Sequence, residues 1–265
     1  MAELTRRERK KRREAFLQEH PFCCFCGGTA KTTTEDHIPA RAIWDGRVWP
    51  EGYAFPACGH CNDATRTDEL IISLLSRMYP DPATPQAREE MRKAMRGVSN
   101  NVPGLLEAMA QSAQQLREAA HHGVALHDGN TLEGLPMISL QDQRIHDAVT
   151  AYGTKLGCAL HYLHTGRIIP ATGEIISRWF SNLDAIEGKI PESAFHLARE
   201  IPELHRGNRQ LHDQFSYGFA ITDDARLGFY LTTFRQSFAI AIGVSTESGG
   251  LFEEIDEVQH PLHGQ

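Results

Sequence analysis

Two Cys-x-x-Cys pairs, Cys23/Cys26 and Cys58/Cys61, stand 31 residues apart (27 to 57). Thiolates at that spacing in a tight turn can point at one ion. Two such pairs complete the four-coordinate shell that structural zinc prefers, so one structural Zn²⁺ per chain is expected. Between the pairs lies Asp36-His37-Ile38-Pro39, and Asn62 directly follows the last cysteine. A carboxylate, an imidazole that titrates near neutrality and an amide oxygen thus fall in or beside a segment that zinc would fold into one small unit. His60 lies inside the second pair, but four thiolates already fill the tetrahedron. Cys24 offers only the poorer Cys24-x-Cys26 register and is expected to be free. Cys158, in a helical apolar pattern, reads as a small buried hydrophobe.

Cys23-x-x-Cys26, Asp36-His37-Ile38-Pro39 and Cys58-x-x-Cys61-Asn62 together resemble the HNH endonucleases, the zinc-knuckle branch of the ββα-metal (treble-clef) nucleases. The resemblance covers about 45 residues, near one sixth of the chain. It implies a metal-dependent endonuclease that hydrolyses phosphodiester bonds in DNA, with His37 as general base. It also implies that Asp36 and Asn62 hold a catalytic Mg²⁺ or Mn²⁺. The chemistry agrees: a deprotonated nucleophile needs a base near neutrality, and a hard cation with oxygen ligands would offset charge on the phosphorane and leaving oxygen. The family's middle asparagine falls at Tyr53 in this chain. That departure keeps open a second class of function, a catalytically degenerate treble-clef module that binds nucleic acid or a protein partner. A zinc-stapled structural domain is a third. Asp36-His37 also reads as a strand-end hydrogen-bonding pair, and Asn62 as a helix cap. Arg41, Arg47 and Arg66 lie close enough in sequence to grip flanking phosphates, or stand solvated.

The net charge of −7 argues against an extended nucleic-acid coat, but it is unevenly spread. Residues 1–80 are net +1, and seven of the eight residues from Arg6 to Arg13 are cationic, a run able to displace phosphate counterions. The run suits a polyanion of either kind, and the resemblance to HNH endonucleases makes DNA the expected partner, ahead of RNA. No stretch approaches the roughly 18 apolar residues of a membrane span, and no apolar signal region follows the N-terminal charges, so a cytoplasmic location without membrane contact is expected. Five of six cysteines crowd into residues 23–61, which fits metal in a reducing compartment better than disulfides.

The pattern around these residues predicts an α+β chain. Residues 1–20 read as a basic N-terminal helix or arm that packs only near Phe16 and is stopped by Pro21. Residues 21–80 read as the small zinc-stabilised module: Gly27-Gly28 turning after the first pair, Thr32 to Thr34 extending into Asp36-His37, and a second strand through Tyr53, Ala54 and Phe55. A helix follows from about Asn62 or Asp63, restarting near Thr67, with Leu70, Ile71, Leu74, Leu75 and Met78 at helical spacing. Pro80, Pro82 and Pro85 mark a boundary. Residues 81–265 read as a mixed α+β region for substrate recognition, regulation, oligomerisation or a protein partner. Within it, helices are predicted over 85–96 and 103–120, a loop over 123–138, and a longer helix carrying Ile145, Val149, Tyr152, Leu156, Leu160 and Leu163. Alternation at 215–221, 227–231 and 238–244 about an Asp223-Asp224 turn predicts a small antiparallel meander. His161 and His164 share a helix face, and His121-His122 lie near a helix end. Neither pair has a further ligand at helix spacing, so no second metal site is expected.

Overall fold

A computed structural model of the chain describes residues 5–79, 83–110, 138–249 and 258–262. The chain is α+β, with small antiparallel sheets. Helix α1 (Arg6–Glu19) starts in a capping box between Thr5 and Glu8, with Phe16 and Leu17 half-buried and Lys10 to Ala15 exposed. Two contacts tie it down: His20 Nδ1 lies 2.7 Å from the Tyr162 hydroxyl, and Arg13 donates to the Thr33 carbonyl at 3.0 Å.

After the first cysteine pair, Gly27 and Gly28 both take positive φ, the conformation a side chain resists. Gly27 is further constrained, because a Cβ there would sit 2.2 Å from the Ala171 backbone nitrogen. Strands β1 (Thr34–His37) and β2 (Ala54–Ala57) pair antiparallel, with Asp36 opposite Phe55 and His37 opposite Ala54. The Cys58 sulfur accepts the Cys61 N–H and caps α2 (Gly59–Ala64), and α3 (Arg66–Leu75) follows without a side-chain cap. The helix thus begins earlier than Asn62, which lies inside α2 rather than capping it. Its break and restart fall one residue from the expected Thr67.

Helix α4 (Pro85–Asn101) runs past the predicted end at 96, because Val98 continues its buried face. Of the helix predicted over 103–120, α5 (Leu105–Met109) is seen and residues 111–120 lie outside the described set, as do His121-His122 and the loop over 123–137. The long helix α6 (Gln143–Thr165) follows the predicted 3.6-residue stripe. It packs on a four-stranded antiparallel sheet in the order β3 (Glu174–Ser181), β8 (Phe238–Ser245), β7 (Leu227–Phe234), β6 (Ser216–Ile221). Strands β6 to β8 are the predicted meander; β3 is an added edge. A two-residue-strand hairpin, β4 (His205–Arg206) with β5 (Arg209–Gln210), precedes it.

The main hydrophobic core runs from Phe25, Ile38, Trp44 and Phe55 through Ile72 and Leu74 to Tyr152, Leu156, Ile240 and Ile242, with a small second cluster around Ala194, Leu231 and Ala239. Residues 21–79 therefore share their interior with the α6–sheet layer. Pro80 and Pro82 lie outside the described residues, and the main buried cluster holds residues from both sides of them. No described helix is long and apolar enough to cross a membrane.

Candidate functional site

The sulfurs of Cys23, Cys26, Cys58 and Cys61 all lie within 4.8 Å of one another, and all four residues are buried. Tetrahedral thiolates at a Zn–S bond of about 2.3 Å would be about 3.8 Å apart, so modest closure would make a zinc shell. Two sulfurs already accept backbone N–H bonds, Cys23 from Phe25 and Cys58 from Cys61, each at 3.4 Å. The cluster is electrostatically unresolved by itself. A hydrogen bond from Cys61 holds the Cys23 thiol well below its ordinary value, while Cys61 is pushed far up by the same neighbour and by burial. A divalent cation relieves that competition, so the donor set fits structural zinc. Cys24 lies outside the cluster, its thiol pushed up by burial and by nearby Cys158; His60 is exposed on α2.

His37 ends β1 at the mouth of a cleft of about 660 Å³, lined by Arg12, Arg13, Arg41, Trp49 and Arg206, with Glu35 and Glu51 also in its wall. Its ring stands edge-on to Trp49 at 4.8 Å, and Arg41 Nη2 approaches Nε2 at 2.9 Å and Nδ1 at 3.2 Å. The guanidiniums of Arg41 and Arg206 lie 4.2 Å and 5.0 Å from the Trp49 ring centre, cation–π contacts that hold both charges beside His37. Burial, then the charges of Arg41, Arg206 and Arg12, lower the His37 pKa to about 4, so the imidazole is neutral and free to accept a proton at physiological pH but is a weaker base than the near-neutral one expected from the sequence.

The supports come from across the chain. Arg77 fastens the 41–43 turn, donating to the carbonyls of Ala42 (2.9 Å) and Ile43 (3.0 Å) and to Asp45 Oδ1 (2.8 Å). Arg235 donates to the same carboxylate oxygen at 2.8 Å. The Glu51 N–H donates to the His205 carbonyl, which brings the β4–β5 hairpin and Arg206 to the cleft. Arg206 and Trp49 were not expected from sequence; the one signal for Arg206 is the basic turn His205-Arg206-Gly207-Asn208-Arg209. Arg47 and Arg66 do not line the cleft: Arg47 is exposed beyond Arg41, and Arg66 pairs with Asp63 at 2.9 Å on the surface.

No family model, curated protein or solved structure matches the chain.

Asp36 does not face the cleft with His37. Neighbouring strand residues point to opposite faces, and Asp36 turns inward, where its Oδ2 lies 2.6 Å from Lys155 Nζ on α6. Its Oδ1 accepts the His37 N–H at 2.8 Å. Lys155 is fully buried and also donates to Thr65 Oγ1 at 2.7 Å and Glu69 Oε1 at 3.0 Å. Burial alone would lower the Lys155 pKa, but Asp36 and Glu69 reverse this and raise it, so the group stays an ammonium. Asn62 is half-buried on α2, and none of the described hydrogen bonds involves its side-chain amide. The divalent ion implied for Asp36 and Asn62 therefore does not fit these residues as placed. One of its two protein ligands already has a cation on one oxygen and a backbone N–H on the other.

Tyr53, at the position of the missing asparagine, also turns inward. Its hydroxyl lies 2.9 Å from that of Tyr217, which in turn lies 2.9 Å from His164 Nε2. Burial raises the Tyr53 pKa to about 12. His161 Nδ1 approaches the Tyr230 hydroxyl at 3.4 Å, so the two helix histidines each meet a tyrosine. A larger open groove of about 1350 Å³ runs along α6 and β3, but Trp179, Phe229, Val244 and Leu262 make much of its wall and no like charges converge in it.

Proposed function

We propose that this protein is an HNH-type endonuclease that hydrolyses phosphodiester bonds in DNA, with His37 as general base. The observation that supports this best is the setting of His37. A neutral imidazole ends the first strand of a ββα unit carrying a four-cysteine zinc-type cluster, and it opens onto a cleft lined by four arginines. The arginines would grip the scissile phosphate and offset the charge that builds on it. His37 would take a proton from water as the oxygen attacks phosphorus. The bond to the leaving sugar oxygen would break, and that oxygen would take a proton from solvent.

The experiment is plasmid cleavage. Supercoiled DNA incubated with zinc-loaded protein, with and without added Mg²⁺ or Mn²⁺, should be nicked or linearised, and His37→Ala should abolish cutting. Equal behaviour of the two proteins under every condition would remove the catalytic reading. A second reading is favoured by the inward turns of Asp36 and Tyr53: a degenerate module that holds nucleic acid in the same cleft without cutting. Salt-dependent binding with no cleavage would select it.

A further inference from the structure

We infer that the resident cation of the Asp36 site is the ammonium of Lys155, in place of a divalent metal ion. An ammonium has three protons, and here three acceptors converge on it: Asp36 Oδ2 at 2.6 Å, Thr65 Oγ1 at 2.7 Å and Glu69 Oε1 at 3.0 Å. Thr65 and Glu69 accept its hydrogen bonds, and Asp36 Oδ2 is held against it as an ion pair. The Phe25 ring, from the turn of the first cysteine pair, lies 5.3 Å from Nζ and covers the charge on another side. One cation faces two carboxylates, so Lys155 offsets one of their two charges and sits between them before any ion arrives from solvent.

The lysine has no easy way out. Its side chain is fully buried, and α6 is pressed onto the sheet on both sides of it. A Cβ on Gly153 would lie 2.8 Å from Ser177 Cβ, and one on Gly157 would lie 2.9 Å from Ile242 Cγ2. Lys155 projects from the opposite face of the helix, so withdrawing the ammonium from Asp36 would drive α6 into the sheet, which those close contacts block. A divalent ion at Asp36 would have to displace a buried lysine or sit against it as a like charge. The nearby Asp68 and Glu69 do not offer a substitute cage. Burial raises both of their pKa values, Asp68 to about 6, and Glu69 Oε1 is already taken by Lys155.

The inference refines the endonuclease reading without depending on it, and its test reads binding rather than cleavage. Zinc-loaded protein is titrated with Mn²⁺ while free Mn²⁺ is followed by electron paramagnetic resonance, for wild type and for Asp36→Asn, which keeps the Lys155–Glu69–Thr65 contacts. The expected result is no saturable site that depends on Asp36; any Mn²⁺ uptake should be equal in the two proteins. In parallel, the lysine ammonium signal of Lys155 in ¹⁵N-labelled protein should be visible at neutral pH, shift in Asp36→Asn, and survive a tenfold excess of Mn²⁺. One Mn²⁺ per chain bound at least tenfold more weakly by Asp36→Asn, or paramagnetic bleaching of the Lys155 signal, would overturn the inference. Neither outcome bears on whether His37→Ala abolishes plasmid cutting, so the two readings fail separately.

Discussion

If the His37 cleft binds DNA, its arginines should set the salt dependence of that binding, and Arg206 gives the sharpest test because it lies far from the zinc segment in sequence. Arg12, Arg13, Arg41 and Arg206 line the cleft, so up to four phosphates are neutralised there. The slope of log K against log salt would then be about −3.6, an affinity loss of about 150-fold between about 50 and 200 mM salt. Arg206→Ala leaves three arginines, a slope of about −2.7 and a loss of about 40-fold over the same range. The assay is fluorescence anisotropy of a labelled duplex, in a His37→Ala background so that cutting does not intervene. Arg96→Ala is the control, since Arg96 is exposed on α4 and paired with Glu89 at 3.1 Å. Removal of Arg206 also withdraws one of the charges that depress the His37 pKa, so the imidazole of the single variant should titrate higher than in wild type. A wild-type slope shallower than about −1, or equal slopes for Arg206→Ala and Arg96→Ala, would refute the cleft as the binding site.

Elemental analysis should find one zinc per chain, lost in Cys58→Ser together with thermal stability but retained in Cys24→Ala; retention of zinc by Cys58→Ser would break the four-cysteine assignment. Asp45→Ala strips the counter-charge from Arg77, which is 6% exposed, and from Arg235, and should cost about 3–5 kcal/mol in urea denaturation, whereas a loss below about 1 kcal/mol would deny the triad a structural role. His37 and His161 are both held near a pKa of about 4 by burial, below the unfolded value of 6.5. The unfolded chain therefore binds more protons between those values, and these two rings should lower stability as pH falls from 6.5 toward 4 while contributing no slope above that window. Ring proton shifts in NMR titrations check this, and a midpoint at or above 6.5 for His161 would contradict it.

The zinc segment, the α6 stripe and the β6–β8 meander were legible in the sequence because each depends on a local period: two residues between cysteines, 3.6 along a helix, two along a strand. Strand β3 was not, and Ser177 shows why. It stands between Ile175 and Trp179 on one face of the strand and interrupts their apolar alternation, yet it is small because Gly153 of α6 must pass over it. That constraint belongs to the packing of two distant elements, so no window of sequence contains it. Lys155 carried a fainter signal: apart from the histidines, it is the only charged side chain between Asp147 and Arg167, set beside the apolar stripe of Tyr152 and Leu156. A lone charge there needs a buried partner, but its partners lie some 86 to 119 residues earlier in the chain.

Asp36 and His37 show the limit of reading a motif as a site. Adjacent in sequence, they read as one constellation with Asn62, and that grouping treats chain proximity as proximity of side chains. A strand separates what it joins: the pleat that turns His37 toward Arg41 and Trp49 must turn Asp36 into the interior. Once inside, a carboxylate needs a cation, and α6 supplies one. The two residues then act through the backbone between them, the Asp36 carboxylate holding the His37 N–H at 2.8 Å while Lys155 holds the carboxylate. The same motif letters therefore encode a base in a cleft on one face and a buried ion pair on the other. Loss of zinc should disturb both at once, because the cysteine cluster fastens the end of β2 to α2 beneath the strand that carries them.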